Sequence, residues 1–224
     1  MPYSEEFGDL YYSRTDGRAE CRHVFLGGNG LPGRFSDTFH FVIGELGFGT
    51  GLNFLETWAA WDQVAAEGAL LEFHSFELRP LQRSDMARAL SKWPDLTDRT
   101  AQLVSEWPDD PAGDIMILFE NSGRKMCLQV HTGFALERLE TTSLQADAWF
   151  LDGFSPAKNP EMWSAELLNL VARRTANKGT FATYSAAGWV RRNLQAAGFM
   201  VEKRPGHVGK RDMSAGFLAA QAQP

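Results

Sequence analysis

From residue 39 onward, short apolar runs alternate with segments patterned for helices, and that order permits few folds. FHFVIGEL (39–46) reads as a buried strand that runs into a glycine loop, and GLNFLETWAAW (51–61) places apolar residues at helical spacing. LLEFHSFE (70–77) is a second strand, and Pro80 to Trp93 is a helix closed by Pro94. Residues 114–119 and 126–130 read as strands joined by the turn NSGRK, followed by a short helix from Phe134 to Leu139. ADAWFLD (146–152) is a strand. Pro160 to Thr175 reads as a helix with Asn159 as its N-cap, Pro160 at the first position and Glu161 in the first turn. GTFATYS (179–185), FMVEKR (199–204) and MSAGFLAA (213–220) are strands, with the helix AGWVRRNLQAAG (187–198) after the first of them.

This order predicts an α/β fold with a mostly parallel sheet and helices on both faces. The last two strands are separated only by residues 205–212, and a parallel crossover needs about a dozen residues. The final strand is therefore expected to be antiparallel and inserted beside its neighbours. Residues 1–38 show no clear alternation and contain the turn-rich GGNGLPG (27–33). They read as an irregular N-terminal extension packed on a core domain of residues 39–224, with no interdomain linker.

The bulk properties exclude several classes. At 224 residues and 44% hydrophobic content, the chain suffices for one sizeable core. No apolar stretch approaches the roughly 20 residues of a membrane span, and the acidic, aromatic start MPYSEEFGDLYYS is not a signal peptide. Cys21 and Cys127 are far apart and share no metal-ligand spacing. The expectation is a cytoplasmic protein with buried thiols, no metal and no membrane contact. A net charge of −6 speaks against a generic nucleic-acid binder. Residues 171–215, however, hold nine basic residues and two acidic ones. That segment is either a solvated surface or an anion-binding face on an acidic body.

ELGFGTGLNF (45–54) carries Glu45, Gly47, Gly49 and Gly51 directly after the first core strand. Glycines there let the backbone turn tightly and approach a ligand closely. The dinucleotide pattern G-x-G-x-x-G fails because Leu52 holds the third glycine's place, and no Gly-Lys-Ser/Thr follows for a P-loop. The remaining E-x-G-x-G-x-G resembles motif I of class I S-adenosylmethionine (SAM) methyltransferases. An acidic residue ending the second strand would then bond ribose hydroxyls, and Glu77 stands there. Either carboxylate alone could be a surface charge at a strand end.

Ligands of open α/β sheets bind beyond the carboxyl ends of the strands, where Asp152 is expected, beside the first strand. Asp-Gly-Phe-Ser-Pro is a looser version of the D/N-P-P-Y/F turn of amino-methyltransferases. A methyl-accepting nitrogen must present its lone pair in line with the S–CH₃ bond. A carboxylate can orient its N–H groups and take its proton, directly or through water. Phe154 could pack on a flat base or a cationic centre. Asp152 could instead be a turn residue that caps the following helix.

Six stretches carry a closer likeness: FGDLYYS (7–13), HVFLGGNGLPGRF (23–35), IGELGFGTGLNFLETW (43–58), WFLDGFSPAKNPEMW (149–163), ATYSAAGWVRRNLQAAGF (182–199) and GHVGKRDMSAG (206–216). Through them the chain resembles the SAM-dependent methyltransferase domain of the MnmC family, which makes 5-methylaminomethyl-2-thiouridine in tRNA. The resemblance implies a class I, Rossmann-like fold and methyl transfer to the aminomethyl nitrogen on C5 of a wobble uridine. It implies that Glu45, Gly47, Gly49, Gly51 and Asn53 form the SAM methionine site and that Glu77 holds the ribose. Asp152 is the implied catalytic residue, with Phe154, Pro156 and Lys158 shaping the uridine pocket. The basic segment then becomes a rim for the anticodon arm through Arg191, Arg192, Lys210 and Arg211, with Lys203 and Arg204 beside them. Trp163 or Trp189 would be a stacking platform unless core packing claims it.

Two departures qualify the likeness. His131-Thr132-Gly133-Phe134 stands where the family often has a Gly-Asp pair, so no acidic residue is assigned to the adenine. Long family members also continue into an FAD-dependent oxidase, and residues 1–224 contain no second glycine-rich nucleotide motif. A separate FAD-dependent oxidase or another enzyme is expected to supply the aminomethyl substrate. Two other functions share these motifs. A polyamine-synthase-like small-amine transferase usually has a second aspartate after the fourth-strand one, where this chain has Ser155-Pro156. A non-catalytic SAM-binding module would not need an intact Asp152.

Overall fold

The structure, a computed structural model, describes residues 3–4, 9–10, 16–207 and 212–219. Two short strands, Tyr3–Ser4 (β1) and Asp9–Leu10 (β2), pair antiparallel. Asp16 caps the helix Gly17–Cys21 (α1), its carboxylate accepting from the Ala19 amide at 3.0 Å. The chain continues as a wider π-helical turn over Arg22–Gly27 and a 3₁₀ turn over Gly33–Phe35. The extension thus holds helical segments that alternation did not reveal. The reason is physical: the π turn shifts the 3.6-residue spacing part-way along. Cys21, Val24, Phe25, Leu26, Leu31 and Phe35 are buried all the same.

The core then runs His40–Leu46 (β3), Leu52–Val64 (α2), Leu70–Glu77 (β4), Arg83–Leu90 (α3) and Thr97–Glu106 (α4). Ile115–Asn121 (β5) and Arg124–Thr132 (β6) form a hairpin, followed by Ala135–Thr141 (α5) and Ala146–Leu151 (β7). Ala165–Arg173 (α6), Thr175–Thr183 (β8), Gly188–Ala196 (α7), Phe199–Pro205 (β9) and Asp212–Leu218 (β10) complete it. Eight strands lie in the order β5-β6-β4-β3-β7-β8-β10-β9. The five from β6 to β8 are parallel, and β10 is inserted antiparallel between β8 and β9, as the short connection requires.

Side chains alternate between two packed layers. Phe41 and Ile43 of β3, with Ala148 and Phe150 of β7, meet α2 and the N-terminal helix on one face. Val42, Leu46, Trp149 and Leu151 meet α5, α6 and α7 on the other. α2 is buried almost all round because it is covered on both sides, by the sheet and by residues 17–35. Gly44 on β3 faces Trp149 on β7, and a Cβ there would lie 2.5 Å from the indole ring.

Two segments differ from the sequence expectation. The helix expected over 160–175 is a 3₁₀ turn, Pro160–Trp163, and then α6. Its cap is Ser164, whose hydroxyl accepts from the Leu167 amide at 3.2 Å; Asn159 makes no side-chain cap bond. The helix α4 had no sequence signal, because only Leu103 of its TDRTAQLVSE is buried. Pro94, read as a helix stop, instead opens a 3₁₀ turn leading into α4.

Candidate active site

β3 and β7 pair in parallel through Leu46 and Leu151, so the loops that leave them emerge side by side. Gly47 leads one loop and Asp152 the other. Gly47, Gly49 and Gly51 have φ of +88°, +54° and +79°, backbone that side chains resist. A Cβ on Gly47 would stand 3.3 Å from the Gly153 Cα, so a bare residue lets the two loops touch. The Gly47 amide donates to the Phe76 carbonyl at 2.9 Å, tying the loop to β4.

Glu77 ends β4 as expected. Its Oε2 accepts from the Gly49 amide at 3.1 Å and its Oε1 from the Arg79 amide at 2.9 Å. Burial raises its carboxyl above the usual range, opposed by these backbone bonds.

Glu45 sits deeper. It is fully buried, its Oε1 accepting from Asn53 Nδ2 at 2.9 Å and its Oε2 from Ser75 Oγ at 2.6 Å. Burial pushes it up to about 8, opposed by the bonds from Ser75 and Asn53 and reinforced by the charges of Asp152 and Glu77. The unfolded carboxyl loses its proton near 4.5, and the folded one keeps it to about 8. Its contribution to stability is therefore complete at acid pH and is lost as pH rises through that window. Glu45→Gln is expected to flatten the decline of unfolding free energy between pH 5 and 8. Urea titrations at those pH values check this, and an unchanged slope would contradict it.

A cavity of about 1020 Å³ opens at this end of the sheet. Gly47, Gly49, Asn53, Glu77, Asp152 and Phe154 line it, so six of the expected site residues share one space. Glu45 and Gly51 stand behind its wall. Pro156 is half-buried and Lys158 exposed, in a turn closed by the Lys158 amide donating to the Ser155 carbonyl at 2.8 Å. Neither lines the cavity, whereas their neighbours Ser155 and Asn159 do. Arg191 and Arg192 are the fourth and fifth residues of α7, the former half-buried and the latter exposed, and neither lines the cavity. Lys210 and Arg211 lie outside the described residues. Lys203 pairs with Asp212 at 2.7 Å and Arg204 with Glu202 at 2.9 Å.

The lip that carries Asp152 is braced from beneath. Trp163 is buried, and its Nε1 donates to the Phe154 carbonyl at 3.1 Å. It is a splint and not an exposed stacking platform. Asn193 of α7 holds the Trp163 carbonyl at 3.0 Å, and the Tyr184 hydroxyl donates to the Gly153 carbonyl. Trp189 is half-buried against the second core layer.

Sequence reasoning missed one wall. Gly17, Glu20, Cys21 and Phe25 line the cavity from the N-terminal helix. Nothing in DGRAECRHVF marks them, because a wall brought from the start of the chain has no strand end to announce it. Tyr184 and Phe134 also line it, and both follow strands, so the strand-end rule could have found them. Among the described residues no group of three His, Cys, Asp or Glu side chains could hold a metal ion. No described helix is long and apolar enough to cross a membrane.

Comparison with known proteins bears on this geometry. A family model described as S-adenosyl-L-methionine-dependent methyltransferase matches residues 94–219. The tRNA 5-methylaminomethyl-2-thiouridine biosynthesis bifunctional protein MnmC of Chromohalobacter salexigens is 48% identical over 222 residues, covering 98% of this chain and 31% of that protein. That of Aeromonas hydrophila is 48% identical, covering 100% and 34%. The chain thus spans about a third of the length of the curated relatives it matches. Among solved structures, MnmC2 from Aquifex aeolicus superposes with a TM-score of 0.80 at 25% identity, covering 99% of this chain and 68% of that one. With a glycine loop, a strand-end glutamate and an aspartate meeting in one cavity, the chain belongs to the S-adenosyl-L-methionine-dependent methyltransferase family.

Proposed function

We propose that this protein transfers a methyl group from SAM to the aminomethyl nitrogen on C5 of a wobble (2-thio)uridine in tRNA, giving 5-methylaminomethyl-(2-thio)uridine. The observation that carries this reading is Asp152, placed beyond β7 against the glycine loop in a cavity that also holds Glu77. The names of the MnmC relatives supply the identity of the amine.

The residues present fit SAM. The cavity is at the upper end of the roughly 300–1,000 Å³ usual for small-molecule sites, which leaves room for a nucleobase beside a cofactor. The bare Gly47 and Gly49 let the backbone approach the methionine part, and Glu77 offers acceptors for ribose hydroxyls. Gly51 turns the loop into α2, while Asn53 ties that helix to the buried Glu45. Bound SAM supplies an electrophilic methyl group on a sulfonium sulfur. Asp152 holds an N–H of the acceptor and takes up the proton that the nitrogen releases, directly or through water. Glu20, Glu77 and Asp152 around one cavity favour an acceptor that arrives as an ammonium ion. Phe154 closes on the base, Pro156 and Lys158 shape the outer turn, and Arg191, Arg192, Lys210 and Arg211 bind anticodon-arm phosphates. Residues 1–38 are an extension to the 39–224 domain, and its Gly17, Glu20, Cys21 and Phe25 complete the pocket. The site of action is the cytoplasm, and an FAD-dependent oxidase activity or another enzyme supplies the aminomethyl group.

Undermodified tRNA incubated with enzyme and SAM, then digested to nucleosides, tests the reading. Methylaminomethyl-uridine should replace aminomethyl-uridine. Methylation of a small amine with none in the tRNA would replace the reading by the small-amine alternative. Gly47→Ala is a second check on the cofactor half. A left-handed alanine costs about 1–2 kcal/mol, and its methyl meets the Gly153 backbone. Calorimetry should show SAM binding weakened about tenfold or more; unaltered binding would remove Gly47 from the cradle.

A further inference from the structure

Asn53, the second residue of α2, is 8% exposed, and its side chain spends both amide hydrogens on acids. Nδ2 donates to Glu45 Oε1 at 2.9 Å and to Asp152 Oδ2 at 2.9 Å. The two acids come from neighbouring parallel strands, and this one amide from a helix joins them. The far side of each acid is fixed as well. Ser75 of β4 holds Glu45 Oε2 at 2.6 Å, and the Gly153 amide holds Asp152 Oδ1 at 2.8 Å. A chain of hydrogen bonds therefore runs from β4 through β3 and α2 to the carboxylate in the cavity.

We infer that Asn53 is a positioning residue for methyl transfer: anchored on buried Glu45, its amide fixes the orientation of Asp152 and stabilises its charged form toward the acceptor amine. This rests on the amine-methyltransferase reading above, and it assigns Asn53 to the acceptor side of the site and not to the SAM methionine. Asparagine suits the task because one nitrogen carries two donors. An aspartate carries at most one, and a serine is too short to span both acids. Glu45 suits the anchor because it is fully buried and held on both oxygens, and burial keeps its proton on through neutral pH. The other titratable groups that line the cavity with Asp152 are Glu77 of β4 and Arg79 after it, Glu20 and Cys21 from α1, Glu137 of α5, Glu161 and Glu166 around the start of α6, and Tyr184 after β8; burial holds the Cys21 thiol well up.

The test is Asn53→Ala, measured with saturating SAM on aminomethyl-uridine tRNA. Losing a hydrogen bond to a charged group should lower kcat roughly 10- to 100-fold, with the SAM dissociation constant changed less than about threefold. The acid limb of the pH–rate profile should move to higher pH, because the ionised Asp152 has lost a donor. Weakened SAM binding with kcat unchanged at saturation overturns the inference and makes Asn53 a cofactor anchor. A fallen kcat with an unmoved acid limb also overturns it, leaving Asn53 a packing residue. Should circular dichroism show that Asn53→Ala is unfolded, Asn53→Asp carries the test. It keeps the shape and replaces the donors by a carboxyl, so the loss in kcat should be largest at high pH and shrink as that carboxyl takes a proton. A pH-independent loss would refute the assignment. Wild-type protein that methylates another amine but not the tRNA would overturn the tRNA reading alone, and the Asn53 pattern would then be read on that amine.

Discussion

Asp152→Ala is expected to lower kcat by about 10²- to 10⁴-fold, the range for removing a positioned general base, while SAM binding stays within a few-fold of wild type. The expectation follows from where the carboxylate sits. It lines the cavity beyond β7, and its two oxygens are oriented by Gly153 and Asn53. The cofactor cradle proposed above lies on other elements, the loop after β3 and the end of β4, which hold each other through the Gly47–Phe76 and Gly49–Glu77 bonds and do not depend on Asp152. Single-turnover methyl transfer together with SAM calorimetry separates the two roles. If SAM affinity fell in parallel with turnover, Asp152 would be a cofactor anchor. Asp152→Asn refines the result: an orienting role survives partly in the amide, whereas a proton-accepting role does not.

Trp149→Ala should have the largest effect on stability, about 3–5 kcal/mol. The indole is wholly buried on β7, lies over the bare face of Gly44 and stacks on Phe76 with ring centroids 6.3 Å apart. Glycine at residue 44 leaves no side chain directly beneath the ring on β3 to fill the void. Truncation leaves a cavity the rigid parallel strands cannot close. Denaturant unfolding gives the number, and a loss below about 1 kcal/mol would mean the second core layer collapses readily onto the gap. Because Trp149 lies on β7, three residues before the Asp152 that leaves its end, the surviving folded fraction should also show lowered turnover.

Most of the architecture was legible because parallel strands buried on both faces read as continuous apolar runs, FHFVIGEL and LLEFHSFE among them. The antiparallel return of β10 followed from the shortness of a single connection. What escaped was structure that does not rest on periodicity. α4 is nearly all polar, and the π turn after α1 breaks the helical repeat. The same division holds for the site. Gly47, Glu77 and Asp152 were marked by strand ends and glycine spacing, and all three line the cavity. Lys158, Arg191 and Arg192 carry charges suited to a nucleic acid, yet their distance from the cavity is set by turns and helix phase that the sequence does not encode locally. The buried state of Glu45 was hidden for a related reason: a motif gives a residue type, whereas depth depends on what α2 and β4 lay over it.

The cavity wall built by Gly17, Glu20, Cys21 and Phe25 has a consequence for the order of folding. Those residues leave the ribosome more than a hundred residues before the walls they face, at Asp152, Met162, Leu167 and Tyr184. Half a chain owns the glycine loop and Glu77 yet encloses nothing. Closing so long a loop is tolerable in free energy, since each doubling of loop length costs only about 0.6 kcal/mol, but contacts so distant in sequence form slowly. Cofactor binding is therefore a property acquired at the end of folding, and SAM should stabilise the finished protein by mass action without hastening its assembly.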